Sequence, residues 1–298
     1  MKKNCCDMTM MITMRRIIQY SVVILVVLNI FSVSVVISEQ SLITNRAISP
    51  INESFDIPEY RAVLVGIGVE QGLPYSEKQL YGFKTTLVNG GNWKINNIRN
   101  LTGNKATLYN LLAEFQWLSD HADDNDVSIF YFVGHGSSNG TNECILTYDL
   151  PVYDVELNTY LQNISGSIIV IIDACFSGGF IEELQAPNRT ILTACNKNSV
   201  TYQVKDLESG MFGFFLNLSL AWITRNIETT YISTKLLTWI YGNKISKEYG
   251  EDYMIYPQIS DGNEKTTRIV NRHAYIKQIY QMIQAMADND GKNIYWRM

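Results

Sequence analysis

The sequence has 298 residues, 46% of them hydrophobic and 18% charged, a globular composition with room for one sizeable domain and appendages. A net charge of −5 and a pI near 5.3 leave no electrostatic footprint for nucleic-acid binding. Five scattered cysteines are too few for a disulfide framework, and no Cys-x-x-Cys pair offers a zinc site.

In chain order, Lys2, Lys3, Arg15 and Arg16 precede an uncharged stretch over residues 17–37, and Glu39 follows it. As a helix that stretch would be about 31 Å long at 1.5 Å per residue, enough to cross a bilayer. The positive charges ahead of it predict that the N-terminus stays in the cytoplasm and that the chain after Glu39 is exported. Residues 1–38 therefore read as a membrane anchor, with Ser38 as a cleavage point if the segment is a signal peptide. Cys5 and Cys6 then lie on the cytoplasmic side, and Cys144, Cys175 and Cys195 in the exported part.

Residues 39–59, polar and containing Pro50 and Pro58, read as a linker. A continuous apolar run from Arg61 to Val69 predicts a parallel strand buried on both faces. Ser76 to Val88 predicts a helix, and Ile98 to Leu101 a short strand. Leu108, Leu111, Leu112, Phe115 and Leu118 follow helical spacing and predict a helix over 105–121, with Thr102 or Asn104 as its cap. Further strands are predicted at Val127 to Val133, Ser167 to Asp173 and Thr190 to Ala194, and a short one around Tyr256 to Ile259. Helices are predicted at Val155 to Gln162, Met211 to Thr224 and Ser233 to Glu248. Tyr275, Ile276, Ile279, Tyr280 and Ile283 have helical spacing within a tail over 266–298. Strands alternating with helices imply right-handed crossovers, hence an α/β fold with a mostly parallel sheet covered on both faces. In such sheets the working crevice lies outside the carboxyl ends of the strands.

Two strands end suggestively. One runs through Phe132-Val133 into Gly134-His135-Gly136-Ser137, and the other through Ile172-Asp173 into Ala174-Cys175-Phe176-Ser177-Gly178-Gly179. If the strands are neighbours, His135 and Cys175 face one crevice. A thiolate is a strong nucleophile toward a peptide carbonyl, and an imidazole titrating near neutrality can protonate the departing amine. Glycines beside both residues let the backbone come close, so that the N–H groups of Gly136 and Cys175 can stabilise an oxyanion. Taken singly, a His among apolar residues is more often structural, and a buried Cys more often packs as a small hydrophobe.

Val133-Gly134-His135-Gly136-Ser137 and Asp173-Ala174-Cys175-Phe176-Ser177-Gly178-Gly179 resemble the two signature segments of caspase-like cysteine peptidases, especially metacaspase-related members of bacteria and archaea. The likeness extends over about residues 60–262 and includes Arg61 to Gly68, Leu73-Pro74-Tyr75-Ser76, Ala106-Thr107, Leu192-Thr193-Ala194-Cys195, Gly210-Met211-Phe212-Gly213 and Pro257-Gln258-Ile259-Ser260. The resemblance implies a three-layer fold with about six sheet strands and a catalytic domain over 60–265. It implies that His135 and Cys175 are the catalytic dyad of an endopeptidase working through a thioester on a polypeptide substrate. Asp173, two residues before the nucleophile, fills the position of an acid that lines the pocket for a basic residue in metacaspase-like relatives; Ser137 and Tyr202 are further candidates for substrate contact. Where relatives carry other acids, this chain has Gln79, Ser199 and Gln203, so the basic preference is a lean and an Asn-type preference stays open.

Rival readings remain. Gly66-Ile67-Gly68-Val69-Glu70-Gln71-Gly72 fits a dinucleotide-binding glycine pattern, but Leu73-Pro74 delays the helix that should meet the pyrophosphate. A catalytically silent binding or scaffold module is the other. No cofactor is required by the chemistry; Asp123 to Asp126 and Asp288-Asn289-Asp290-Gly291 could bind an activating Ca²⁺ but lack EF-hand spacing and read better as solvated loops.

Overall fold

The computed structural model describes residues 57–68, 71–263 and 266–271, together with the backbone of 295–297. In chain order the elements are β1 (Tyr60–Gly66), α1 (Ser76–Gly90), β2 (Ile98–Thr102), α2 (Leu108–His121), β3 (Val127–Val133), β4 (Gly136–Ser138), β5 (Glu143–Leu146), β6 (Pro151–Tyr153), α3 (Asp154–Leu161), β7 (Ser167–Asp173), α4 (Phe180–Leu184), β8 (Arg189–Thr193), β9 (Tyr202–Val204), β10 (Ser209–Gly210), α5 (Met211–Trp222), α6 (Ile227–Tyr249), β11 (Gln258–Asp261) and β12 (Tyr295–Arg297). The central sheet has six strands in the order β11-β8-β7-β3-β1-β2. All its neighbours are parallel except β11, which runs antiparallel to β8.

Side chains alternate across each strand, so apolar runs feed two cores. Leu64, Ile129, Tyr131, Ile169 and Ile171 face one side, where Phe83 of α1, Phe212 and Phe215 of α5 and Ile245 of α6 cover them. Val63, Val65, Phe130, Phe132, Val170 and Ile172 face the other, under Leu111 and Phe115 of α2, Leu157 of α3 and Phe180 of α4. Helices thus sandwich the sheet, which gives the three-layer α/β architecture expected from the sequence.

The glycines at and just after the end of β1 serve packing. A Cβ on Gly66 would lie 2.6 Å from Leu80 Cδ1, and one on Gly68 would lie 2.5 Å from the Leu73 carbonyl oxygen. They let α1 sit close against the strand, and the helix starts only at Ser76, after the glycines.

Several expectations are corrected in detail. β1 ends at Gly66 rather than Val69. α2 begins at Leu108 after a 3-10 turn over Gly103–Lys105, and its cap is Thr107, whose hydroxyl accepts the Asn110 N–H at 3.2 Å. α6 begins at Ile227, where the Asn226 side chain accepts the Thr229 N–H at 3.1 Å. The three-residue strands β4 and β6, which flank β5 in a small antiparallel sheet, are too short for period-2 patterning to reveal.

The expectation of a transmembrane or signal-anchor helix is also corrected: among the described residues no helix is long and apolar enough to cross a membrane. The longest, α6, has sufficient length but carries Glu228, Lys235, Lys244, Lys247 and Glu248. Residues 17–37 lie outside the described residues, as do the predicted tail helix around 275–283 and Asp288 to Gly291.

At the amino ends of β1 and β3, Arg61 is buried and paired through Nη1 with Asp126, which is 3% exposed. Asp126 also accepts the N–H groups of Glu59 at 2.6 Å and Asp123 at 3.2 Å. Its carboxylate is thereby committed to joining strand ends, and among the described residues no group of three or more His, Cys, Asp or Glu side chains is arranged to hold a metal ion. Removing one partner of a buried pair leaves an uncompensated charge, so Asp126→Ala is expected to cost about 3 kcal/mol in stability. A urea midpoint unchanged from the parent would refute this role.

Candidate active site

The site grows from the pairing of β3 with β7. The two strands are in register from Val127↔Ser167 to Val133↔Asp173, and the Gly134 N–H continues the ladder by donating to the Asp173 carbonyl at 3.3 Å. His135 and Cys175 each lie two residues beyond the last register pair, so the chain delivers both to the same level at the carboxyl edge of the sheet. Gly136 then packs directly on the segment that carries Cys175. A Cβ there would lie 2.3 Å from the Cys175 carbonyl oxygen and 2.9 Å from Ala174 Cβ. Only glycine permits that approach.

His135 is half-buried, and its Nε2 lies 2.9 Å from the Gln71 carbonyl oxygen. A carbonyl only accepts, so Nε2 carries a proton, and in the neutral ring Nδ1 holds the lone pair. The Gln71 side chain donates in turn to the Thr147 carbonyl at 3.3 Å, tying the loop after β1 to the segment after β5.

Cys175 is 1% exposed, and its thiol points at the Thr201 carbonyl at 3.9 Å. The next residue, Phe176, has φ 61, a left-handed conformation rare for a bulky side chain. That sharp turn is secured by the Phe176 N–H donating to Ser199 O at 2.9 Å and by the Gly179 N–H donating to Phe176 O at 3.0 Å. Beneath the turn, Ser177 Oγ accepts the Cys195 N–H at 3.3 Å, and Cys195 Sγ lies 3.4 Å from Ala174 O and 3.3 Å from Ser199 O. Burial pushes the Cys195 thiol up to about 11, so it remains a thiol and supports the loop after β7. Burial likewise raises the Cys144 thiol.

Asp173 is fully buried. Its Oδ2 accepts from Gln79 Nε2 at 2.7 Å and from the Gly213 N–H at 3.1 Å, while its Oδ1 has no partner among the described residues. Gln79 is used from both ends. Its amide nitrogen also donates to the Tyr131 hydroxyl at 2.6 Å, and its Oε1 accepts from Ser209 Oγ at 3.0 Å and the Gly210 N–H at 2.7 Å. The amide lies so close to the start of α5 that a Cβ on Gly213 would be 1.9 Å from Gln79 Nε2. Gln203, also fully buried, accepts the Tyr75 N–H at 3.1 Å and donates to Ser76 Oγ at 2.9 Å.

The structure therefore packs Gly136 on the Cys175 segment, sets His135 and Cys175 at one level on adjacent strands, and places Asp173 at the end of β7. Tyr202 is half-buried at the start of β9, next to Thr201, with its ring 5.5 Å from that of Tyr253. Ser137 is exposed on β4, paired with Cys144 of β5, and lies on a different sheet from Asp173. Two groups escaped the sequence reading: the backbone carbonyls of Gln71 and Thr201, which hold the imidazole and the thiol. A carbonyl belongs to every residue and leaves no signature in the residue type.

Desolvation pushes the Asp173 carboxyl up to about 7, against the opposing bonds from Gln79 and Gly213. The folded chain then holds a proton that the unfolded chain releases near 3.8, so stability falls as pH rises from about 4 to about 7 and levels off above. Asp173→Asn should flatten that fall, raising Tm at pH 8 while changing it little at pH 4. Parallel Tm profiles for parent and variant would contradict the assignment.

The caspase domain family profile matches residues 59–290. Metacaspase-1 of Plasmodium falciparum is 27% identical over 179 residues, an alignment covering 47% of this chain and 29% of that protein. The chain thus spans under a third of the length of that curated relative. Among solved structures, caspase-1 of Spodoptera frugiperda superposes with a TM-score of 0.55 at 11% identity, covering 78% of this chain and 100% of that one. A Geobacter sulfurreducens protein superposes at 0.51 with 10% identity, covering 72% and 98%. At such identities the superpositions speak for the fold alone. The profile match spans most of the chain and contains both strand ends built above: this protein belongs to the caspase domain family, within a superfamily of cysteine proteases.

Proposed function

We propose that the chain is a cysteine endopeptidase in which Cys175 is the nucleophile and His135 the general acid–base. The observation that carries this reading is that Cys175 and His135, whose Nε2 is fixed by Gln71 O, leave adjacent parallel strands at the same level. His135 Nδ1 takes the thiol proton as the sulfur attacks the scissile carbonyl carbon. The N–H groups of Gly136 and Cys175 stabilise the oxyanion. Collapse of that intermediate expels the amine, protonated from Nδ1, and leaves a thioester on Cys175. Water, deprotonated by His135, hydrolyses the thioester and restores the thiol. Because the resting thiol points at Thr201 O, substrate docking must turn it about its Cα–Cβ bond into the crevice.

The substrate side chain before the scissile bond is proposed to be basic. Asp173 Oδ1 is buried without a protein partner among the described residues, and a guanidinium or ammonium would supply one. Reaching it requires Gln79 or Tyr131 to give way, so the preference for Arg over neutral side chains should be moderate. An acidic side chain there would set two carboxyl groups against each other.

Cys175→Ala should abolish hydrolysis of peptide amides without lowering Tm, and His135→Ala should cost about 10²-fold or more in kcat. Retained activity in Cys175→Ala, with loss in Cys195→Ala or Cys144→Ala, would overturn the assignment. The basic preference has its own test in pH. A cation needs ionised Asp173, so the ratio of kcat/KM for Arg over Asn substrates should rise about tenfold between pH 6 and 8, as a carboxyl near 7 ionises. Asp173→Asn should remove that rise. A pH-independent ratio, or fastest cleavage after Asp, would exclude the pocket while leaving the dyad in place.

A further inference from the structure

β9 is the middle strand of a three-stranded sheet in the order β10-β9-β12, and its outer edge is taken by residues 295–297 of the same chain. The pairing is antiparallel, with Tyr295 opposite Val204, Trp296 opposite Gln203 and Arg297 opposite Tyr202. In that direction the C-terminal strand runs toward Thr201, whose carbonyl receives the Cys175 thiol, and toward Ser199, whose carbonyl receives the Phe176 N–H. A chain laid on this edge therefore ends beside the nucleophile.

We propose that residues 295–297 occupy the outer edge of β9 as an internal pseudosubstrate, in competition with an extended substrate backbone laid on the same edge. This rests on the reading of Cys175 as the nucleophile. Addition of a strand to a sheet edge is carried by backbone hydrogen bonds, so it accepts the chain's own segment and a substrate alike. A three-residue strand makes few such bonds and can be displaced. Tethering in the same chain compensates, by holding the segment at roughly millimolar effective concentration. Substrate competes with β12 for one edge, and the apparent KM is raised by the inverse of the fraction of molecules in which the edge is free.

Two variants and one peptide test this. Trp296→Pro breaks the ladder by placing proline in a paired strand, and a chain ending at Ile294 lacks the strand altogether. Both should keep the parent Tm to within a few degrees and the parent kcat, and should lower KM for an Arg-containing peptide amide at least about fivefold. In parallel, the acetylated heptapeptide Lys-Asn-Ile-Tyr-Trp-Arg-Met is titrated against Cys175→Ala chains, with and without residues 295–298. It should bind the shortened chain at least about fivefold more tightly than the full chain. Unchanged KM in both variants, or equal or absent peptide binding to the two Cys175→Ala chains, would overturn the proposal. If no chain hydrolyses any peptide, the peptidase reading fails, and the binding comparison still decides whether β9 is a docking edge held by the C-terminal strand.

Discussion

β3 and β7 are hydrogen-bonded along their whole length, and the positions of His135 and Cys175 follow from that ladder. Parallel strands in register end at one edge, and both chains leave that edge within two residues of the last pair. A shift of one residue in register would send the side chains of β7 to the opposite cores and carry Cys175 away from His135. The register is well defended. Phe130 and Phe132 on one face and Ile129 and Tyr131 on the other are fully buried, as are their partners in β7 from Ile169 to Ile172. The cost of slipping is the loss of both cores at once.

Above that frame, backbone groups rather than charged side chains place the reactive atoms. Gln71 O fixes the imidazole tautomer, Thr201 O holds the thiol, and the left-handed turn at Phe176 aims the segment between them. Gly136 has no side chain to keep the two strand ends apart. At the end of β7, Asp173 meets Gln79 and the start of α5 in a buried polar cluster. A neutral amide there offers Asp173 hydrogen bonds but no charge, which leaves desolvation to raise the carboxyl toward neutrality. The carboxyl thus titrates in a range where a bound cation would change its state.

The elements legible in the sequence were those with long apolar runs or clear helical spacing. β3, β7 and α2 are of this kind, and the glycine-flanked His135 and Cys175, with Gly178-Gly179 shortly after it, stood out because they closely follow such runs. The parts that were not legible share a physical cause. β4, β6, β9 and β10 are two or three residues long and are fixed by pairing with distant segments rather than by their own pattern. The Thr107 cap competed with equally suitable Thr102 and Asn104, and only the 3-10 turn between them decides. Gln79 was visible as a departure from the expected acid, yet its four-way hydrogen bonding to Tyr131, Asp173, Ser209 and Gly210 depends on α1, β3, β7 and β10 meeting in space.

The most direct test of the account is where an active-site-directed electrophile attaches. The chain would be incubated with a peptidyl chloromethyl ketone ending in Arg, and the modified residue located by peptide mass spectrometry. A paired thiol and imidazole predict one thioether, on Cys175, forming much more slowly when His135 is replaced by Ala. Attachment to Cys144 or Cys195, or a rate at Cys175 that does not depend on His135, would contradict it.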